Sequence, residues 1–144
     1  MRNDRFKLWI GRLLIGWVFL TNIQCAILFV LFPGQFVQSF ELTGATGIAV
    51  IQGFGILFLM WNVPYCVALL QPRKYRLSLL EAIVMQAIGF VGETTLLLFL
   101  PLGHAFLRES VSRFIIFDGI GLFMLLLSAR ITLDKVKLIS INPV

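Results

Sequence analysis

Glu93 and Asp118 are carboxylates set inside long apolar runs, Glu93 eight residues before Pro101 and Asp118 eight after Ser110. Gln52 lies eight residues after Gly44 and Gln24 nine before Pro33. At about 1.5 Å per helical residue, all four fall ~12 Å below one boundary of the apolar segments. Asn22 lies slightly deeper and Arg113 slightly shallower. Groups of this kind are costly among hydrocarbon unless they pair, bond each other or meet trapped water, so the layer is expected to face inward. The chemistry open to it is interhelical hydrogen bonding, proton or ion carriage, or ligand binding. Arg113 is the candidate counter-charge for Glu93, whereas Asp118, five residues along the same segment, points to another side. Gln86 and Glu93, seven apart with Gly89 between them, share one helical face, which is read as the bundle interior.

The other reactive side chains form no site. Cys25 and Cys66 are neither in a C-x-x-C pair nor at one depth, which disfavours thiol–disulfide chemistry. His104 alone supplies neither a haem pair nor a zinc site, and no metal ligand set is assigned. Walker, dinucleotide and Gly-x-Ser-x-Gly patterns are absent, so no catalytic residue and no cofactor is identifiable.

The elements that hold the polar layer are written in the composition. Hydrophobic residues make up 59% of the 144 and charged residues 13%, against about 45–50% and 25% in soluble domains. A mean hydropathy of +0.95 leaves too few polar side chains to wet so small a globule, which excludes a soluble enzyme and a disordered chain. Four runs, at about 8–31, 44–70, 77–100 and 111–130, reach the ~20 residues that cross a bilayer. Pro33-Gly34, Pro72 and Pro101 punctuate them. The first run is too long for a signal core and lacks an Ala-x-Ala site, so it is kept as a helix. The fold expected is all-α, a membrane-spanning four-helix bundle in one transmembrane domain, 1–144.

Basic residues set an orientation. Arg2, Arg5, Lys7, Arg12, Arg73, Lys74, Arg76, Arg130, Lys135 and Lys137 fall on one side, and only Arg108 and Arg113 on the other. Lysine and arginine are retained on the cytoplasmic side, so both termini are expected in the cytoplasm of a cell-membrane protein. The net charge of +5 follows from this bias and points to anionic lipid rather than nucleic acid. The partners expected are the bilayer, and other membrane subunits or a second copy.

Smaller features carry further expectations. Phe32, Phe36 and Phe40 recur every four residues, which suggests a short interfacial helix over 33–40, acting as an anchor in preference to a lid. Ala45, Ala49 and Gly53, and Gly89 with Gly92, suggest close helix packing. Glu81 and Arg12 lie at similar depth and suggest an ion pair. Pro64 favours a kink, with Asn62 bonding a freed backbone group. Gln52-Gly53-Phe54-Gly55 matches Asp118-Gly119-Ile120-Gly121, hinting at two related hairpins about an axis along the membrane normal.

The opening Gly11-Arg12-Leu13-Leu14-Ile15-Gly16-Trp17-Val18-Phe19-Leu20, the first loop 33–44 with Phe36, Phe40 and Leu42, and the glycine-bearing second helix resemble the DoxX-like small membrane proteins. The resemblance implies a four-helix bundle, with some members similar to membrane subunits of quinone-linked oxidoreductases. It carries over no catalytic residue. Three readings stay open: a non-catalytic membrane subunit or scaffold, a small transporter or proton path using Glu93 and Asp118, and a quinone-linked redox component.

Overall fold

A computed structural model describes residues 2–133, with side chains from Asp4 onward. Of the basic residues that suggest the orientation, Lys135, Lys137 and the side chain of Arg2 lie outside the described residues. Four helices, α1 (Arg2–Leu31), α2 (Gly44–Leu70), α3 (Arg76–Phe99) and α4 (Ala105–Leu133), run up and down in sequence order and close into a ring. α1 packs on α2, α2 on α3, α3 on α4, and α4 returns to α1. Each is long and apolar enough to cross a membrane, and no strand occurs among the described residues.

α1 and α4 each begin six residues before the apolar run that marks them, at Arg2 and Ala105. Hydropathy marks where a segment can sit in hydrocarbon, but the backbone ladder continues through the polar residues beyond it. With 30 and 29 residues, these helices reach about 45 Å and outrun a hydrocarbon core of about 30 Å. Pro64 sits inside α2 without ending it. Asn62 donates to Phe58 O, 2.7 Å away on its own preceding turn, and not to the Met60 carbonyl that the proline leaves without its usual donor.

The buried positions follow stripes of three and four residues, the spacing that keeps one helix face on its neighbours. They are Gly11, Ile15, Val18, Ala26 and Phe29 on α1, and Gly47, Ile51, Gly55, Asn62, Tyr65 and Ala68 on α2. On α3 they are Leu79, Ala82 and Gln86, and on α4 Gly121, Leu125, Ser128 and Thr132 continue one stripe. Ala45 and Ala49 are exposed and Gly53 has open space around it, so the expected small-residue stripe on α2 faces away from the bundle. The close approach is made by Gly55, where an added Cβ would lie 2.8 Å from Ala26 O. A helix that is apolar all round gives its sequence no phase, so two small-residue stripes are equally plausible until packing chooses.

Residues 33–40 form no continuous helix. They make two single 3-10 turns, Pro33–Gln35 and Gln38–Phe40, and fold inward. Phe36 and Phe40 stack edge-on against Phe29, with ring centroids 4.7 and 5.9 Å away, and Phe58 and Phe114 complete the cluster. Phe32 remains exposed. The segment thus lies as a lid across the bundle end opposite the N-terminus, and two short turns stand where a continuous interfacial helix was expected, because the rings of Phe36 and Phe40 turn onto Phe29.

Candidate functional site

Three helices meet at a buried polar relay. The Tyr65 hydroxyl on α2 donates to Gln86 Oε1 on α3 at 2.6 Å, and the Gln86 amide Nε2 donates to Asp118 Oδ1 on α4 at 2.8 Å. Tyr65 Oη also lies 3.2 Å from Ala82 O. Two glycines make room for it. An added Cβ at Gly121 would lie 2.6 Å from Gln86 Nε2, and one at Gly89 would overlap the Asp118 carboxylate. Each of the facing helices α3 and α4 thus opens a notch where the other presents its polar side chain. Glu93 is one helical turn beyond Gly89, within electrostatic reach of Asp118, and its Oε2 is buried without a hydrogen-bond partner. Asn62 Oδ1, one turn from Tyr65 on the buried face of α2, is in the same condition.

The expected layer divides among different tasks. Asp118 lies against Gln86 and Gly89, and Glu93 stands about one helical turn from that contact. Gln52 does not join them: its Nε2 donates to Val30 O at 3.2 Å, at the C-terminal end of α1. Asn22 is half-buried and in phase with Val18 and Ala26, whereas Gln24, two residues on, is exposed on the opposite side of α1. Arg113 does not pair with Glu93. It is exposed and bonds Glu109 one turn earlier in α4. The early start of α4 at Ala105 makes Glu109 helical, and a neighbour at four residues is cheaper to reach than one across the bundle. Tyr65 and Asn62 enter the site from a segment that the sequence marks only for its proline; their three-residue spacing on one face was the available signal.

The arginines have structural work. Arg12 Nε donates to Leu69 O at 3.0 Å, its guanidinium lying 5.1 Å over the Trp9 ring, and the ion pair expected with Glu81 does not form. Arg73 Nε donates to Thr132 O at 2.9 Å, and Arg108 Nη1 to Leu100 O at 2.6 Å and Leu97 O at 3.3 Å. With Gln52 on Val30, a side chain from outside the helix serves the last carbonyls of α1, α2 and α3, where the backbone leaves acceptors unpaired and the dipole favours positive charge.

At the lid end, Glu41 ties two loops together. It adopts a left-handed conformation, φ 54°, and its carboxylate meets His104 Nδ1 at 2.5 Å and accepts from the Leu107 amide at 3.2 Å in the first turn of α4. The hydrogen bond to His104 holds its carboxyl below the usual range. Ser110 Oγ donates to Ser39 O at 2.6 Å and adds a second tie.

The two motifs that resemble each other in sequence have similar geometric parts. In α2, Gln52 bonds α1 and Gly55 three residues later takes its close contact; in α4, Asp118 bonds α3 and Gly121 gives room to Gln86. Each polar residue and glycine thus face the partner helix of their own hairpin. In comparisons with known proteins, no family model, no curated protein and no solved structure matches this chain.

Proposed function

We propose that this chain is a non-catalytic integral membrane subunit or scaffold of DoxX-like type, with both termini cytoplasmic, whose Tyr65–Gln86–Asp118 relay sets the register of its helices. The observation that carries this reading is the seating of Gln86. Its two polar ends are bonded to neighbouring helices and its amide occupies the notch at Gly121, so the relay is a matched joint. The opening motif and the four-helix plan support the DoxX-like assignment, and the basic residues grouped at one end support the orientation. The bilayer is its first partner; other subunits, or a second copy, are the others.

Thermal unfolding in detergent and proton flux in proteoliposomes test the proposal together. Gln86→Leu and Asp118→Leu each remove a partner of the relay and should cost about 1–3 kcal/mol, the range for a broken buried hydrogen bond, and so lower the midpoint by several degrees. Wild-type vesicles should hold a pH gradient as well as empty ones. Unchanged melting of both variants would remove the structural role.

One observation favours a second reading, a proton path. Glu93 Oε2 is buried and unbonded within electrostatic reach of Asp118, an arrangement in which a proton taken up by either carboxylate relieves the repulsion between them. Under it, wild-type vesicles lose a pH gradient, and Glu93→Gln abolishes the leak while the bundle still melts cooperatively.

A further inference from the structure

At the N-terminal end of the bundle, between the start of α1 and the α2–α3 turn, lies a cavity of about 360 Å³. Four cations line it, Arg5, Arg12, Arg73 and Lys74, together with Trp9 and Leu70. The Nε atoms of Arg12 and Arg73 are committed to the carbonyls of Leu69 and Thr132, which fixes both guanidinium forks before anything binds. Among the described residues, the Asp4 carboxylate lies 3.9 Å from Arg73. Trp9 and Leu70 are 60% and 57% exposed on the outer surface of the bundle, so the cavity has an open apolar wall. Its chemistry has two parts, a positive floor shaped for phosphate and an apolar wall beside it. A soluble anion uses only the first part.

We propose that this cavity is a discrete site for the headgroup of an anionic phospholipid, with the phosphate held by the four cations and an acyl chain lying along Trp9 and Leu70. Phosphate suits the fixed arginine forks through bidentate bonds, and a headgroup of net negative charge suits a lining of four cations better than a zwitterionic one. The aromatic ring stands at the height where tryptophan commonly meets the headgroup layer.

The test is native mass spectrometry of the full, delipidated chain in detergent, titrated with dioleoylphosphatidylglycerol, dioleoylphosphatidylcholine or inorganic phosphate. Wild type should take up one phosphatidylglycerol saturably, at least about tenfold more tightly than phosphatidylcholine. Millimolar inorganic phosphate should leave that lipid in place. Arg5 and Lys74 are exposed and cap no helix, so the double variant Arg5→Gln/Lys74→Gln keeps the fold and should weaken phosphatidylglycerol binding about thirtyfold, the attraction of two cations to an anionic surface. Arg113→Gln, removing a charge at the opposite end, should change nothing. Equal binding of the two lipids, displacement by phosphate, a double variant that binds like wild type, or equal weakening by Arg113→Gln would each overturn the site.

Discussion

Gly121 and Gly92 are both helical glycines, yet they carry opposite expectations. A methyl group at 121 meets the Gln86 amide at 2.6 Å, whereas nothing lies within 4 Å of one at 92. Gly121→Ala must therefore push Gln86 off Asp118 or Tyr65. It should destabilise by about 1–3 kcal/mol in a detergent melt, even though alanine favours helix by up to about 1 kcal/mol. Gly92→Ala should be neutral or mildly stabilising; equal melting of the two variants would mean that the notch has no energetic role. Residue types that are expensive in hydrocarbon were legible: Glu93 and Asp118 stand out in any reading of the chain, and the common face of Glu93 with Gln86 and Gly89 follows from spacing. Their partners were less so. Arg113 was charged and near in depth, but its pairing depended on whether Glu109 was helical, which hydropathy does not report. Gln24 and Asn22 differ only in phase around α1, and an apolar helix conceals its phase.

The helices themselves were legible because twenty apolar residues leave few alternatives, and their ends were legible wherever proline supplied a stop. What joins them was not. The donors on the last carbonyls of α1, α2 and α3 come from Gln52, Arg12 and Arg108, and Arg73 of the α2–α3 turn serves Thr132 O on α4; none lies on the helix it serves, so no capping pattern within a helix announces them. A continuous helix over 33–40 does not form for a related reason: Phe36 and Phe40 repeat at helical spacing, but Pro33 and the left-handed Glu41 bend the chain so that both rings turn onto Phe29. The tie beneath that lid has a pH dependence of definite sign. The Glu41 carboxyl titrates lower in the folded chain than its usual value near 4.3, so its contribution to stability is fully present above that value and is lost as pH falls through the depressed one. The melting temperature should therefore drop more steeply below about pH 4 in wild type than in Glu41→Gln. Parallel curves for the two proteins would show that the contact with His104 and Leu107 adds nothing to the fold.

Seen whole, the bundle buries a narrow seam and shows large apolar side chains on its outside, among them Trp9, Trp17 and Trp61. Trp17 is midway along α1 and Trp61 well inside α2, while Trp9 is near the basic end. In single-tryptophan variants reconstituted in lipid, bromine at the acyl-chain midpoint should quench Trp17 and Trp61 most strongly, and bromine near the headgroup should quench Trp9 most strongly. Shielding of Trp17 or Trp61 from every bromolipid would mean that this face is covered by protein rather than hydrocarbon. The ring closes where α4 meets α1: Ser128 Oγ donates to Gly11 O at 3.0 Å, and a methyl at Gly11 would overlap Thr132. That seam joins positions 117 residues apart in sequence. During synthesis the groove along Gly11 is consequently filled as it stands in the finished bundle only after α4 has emerged from the ribosome, more than a hundred residues behind it.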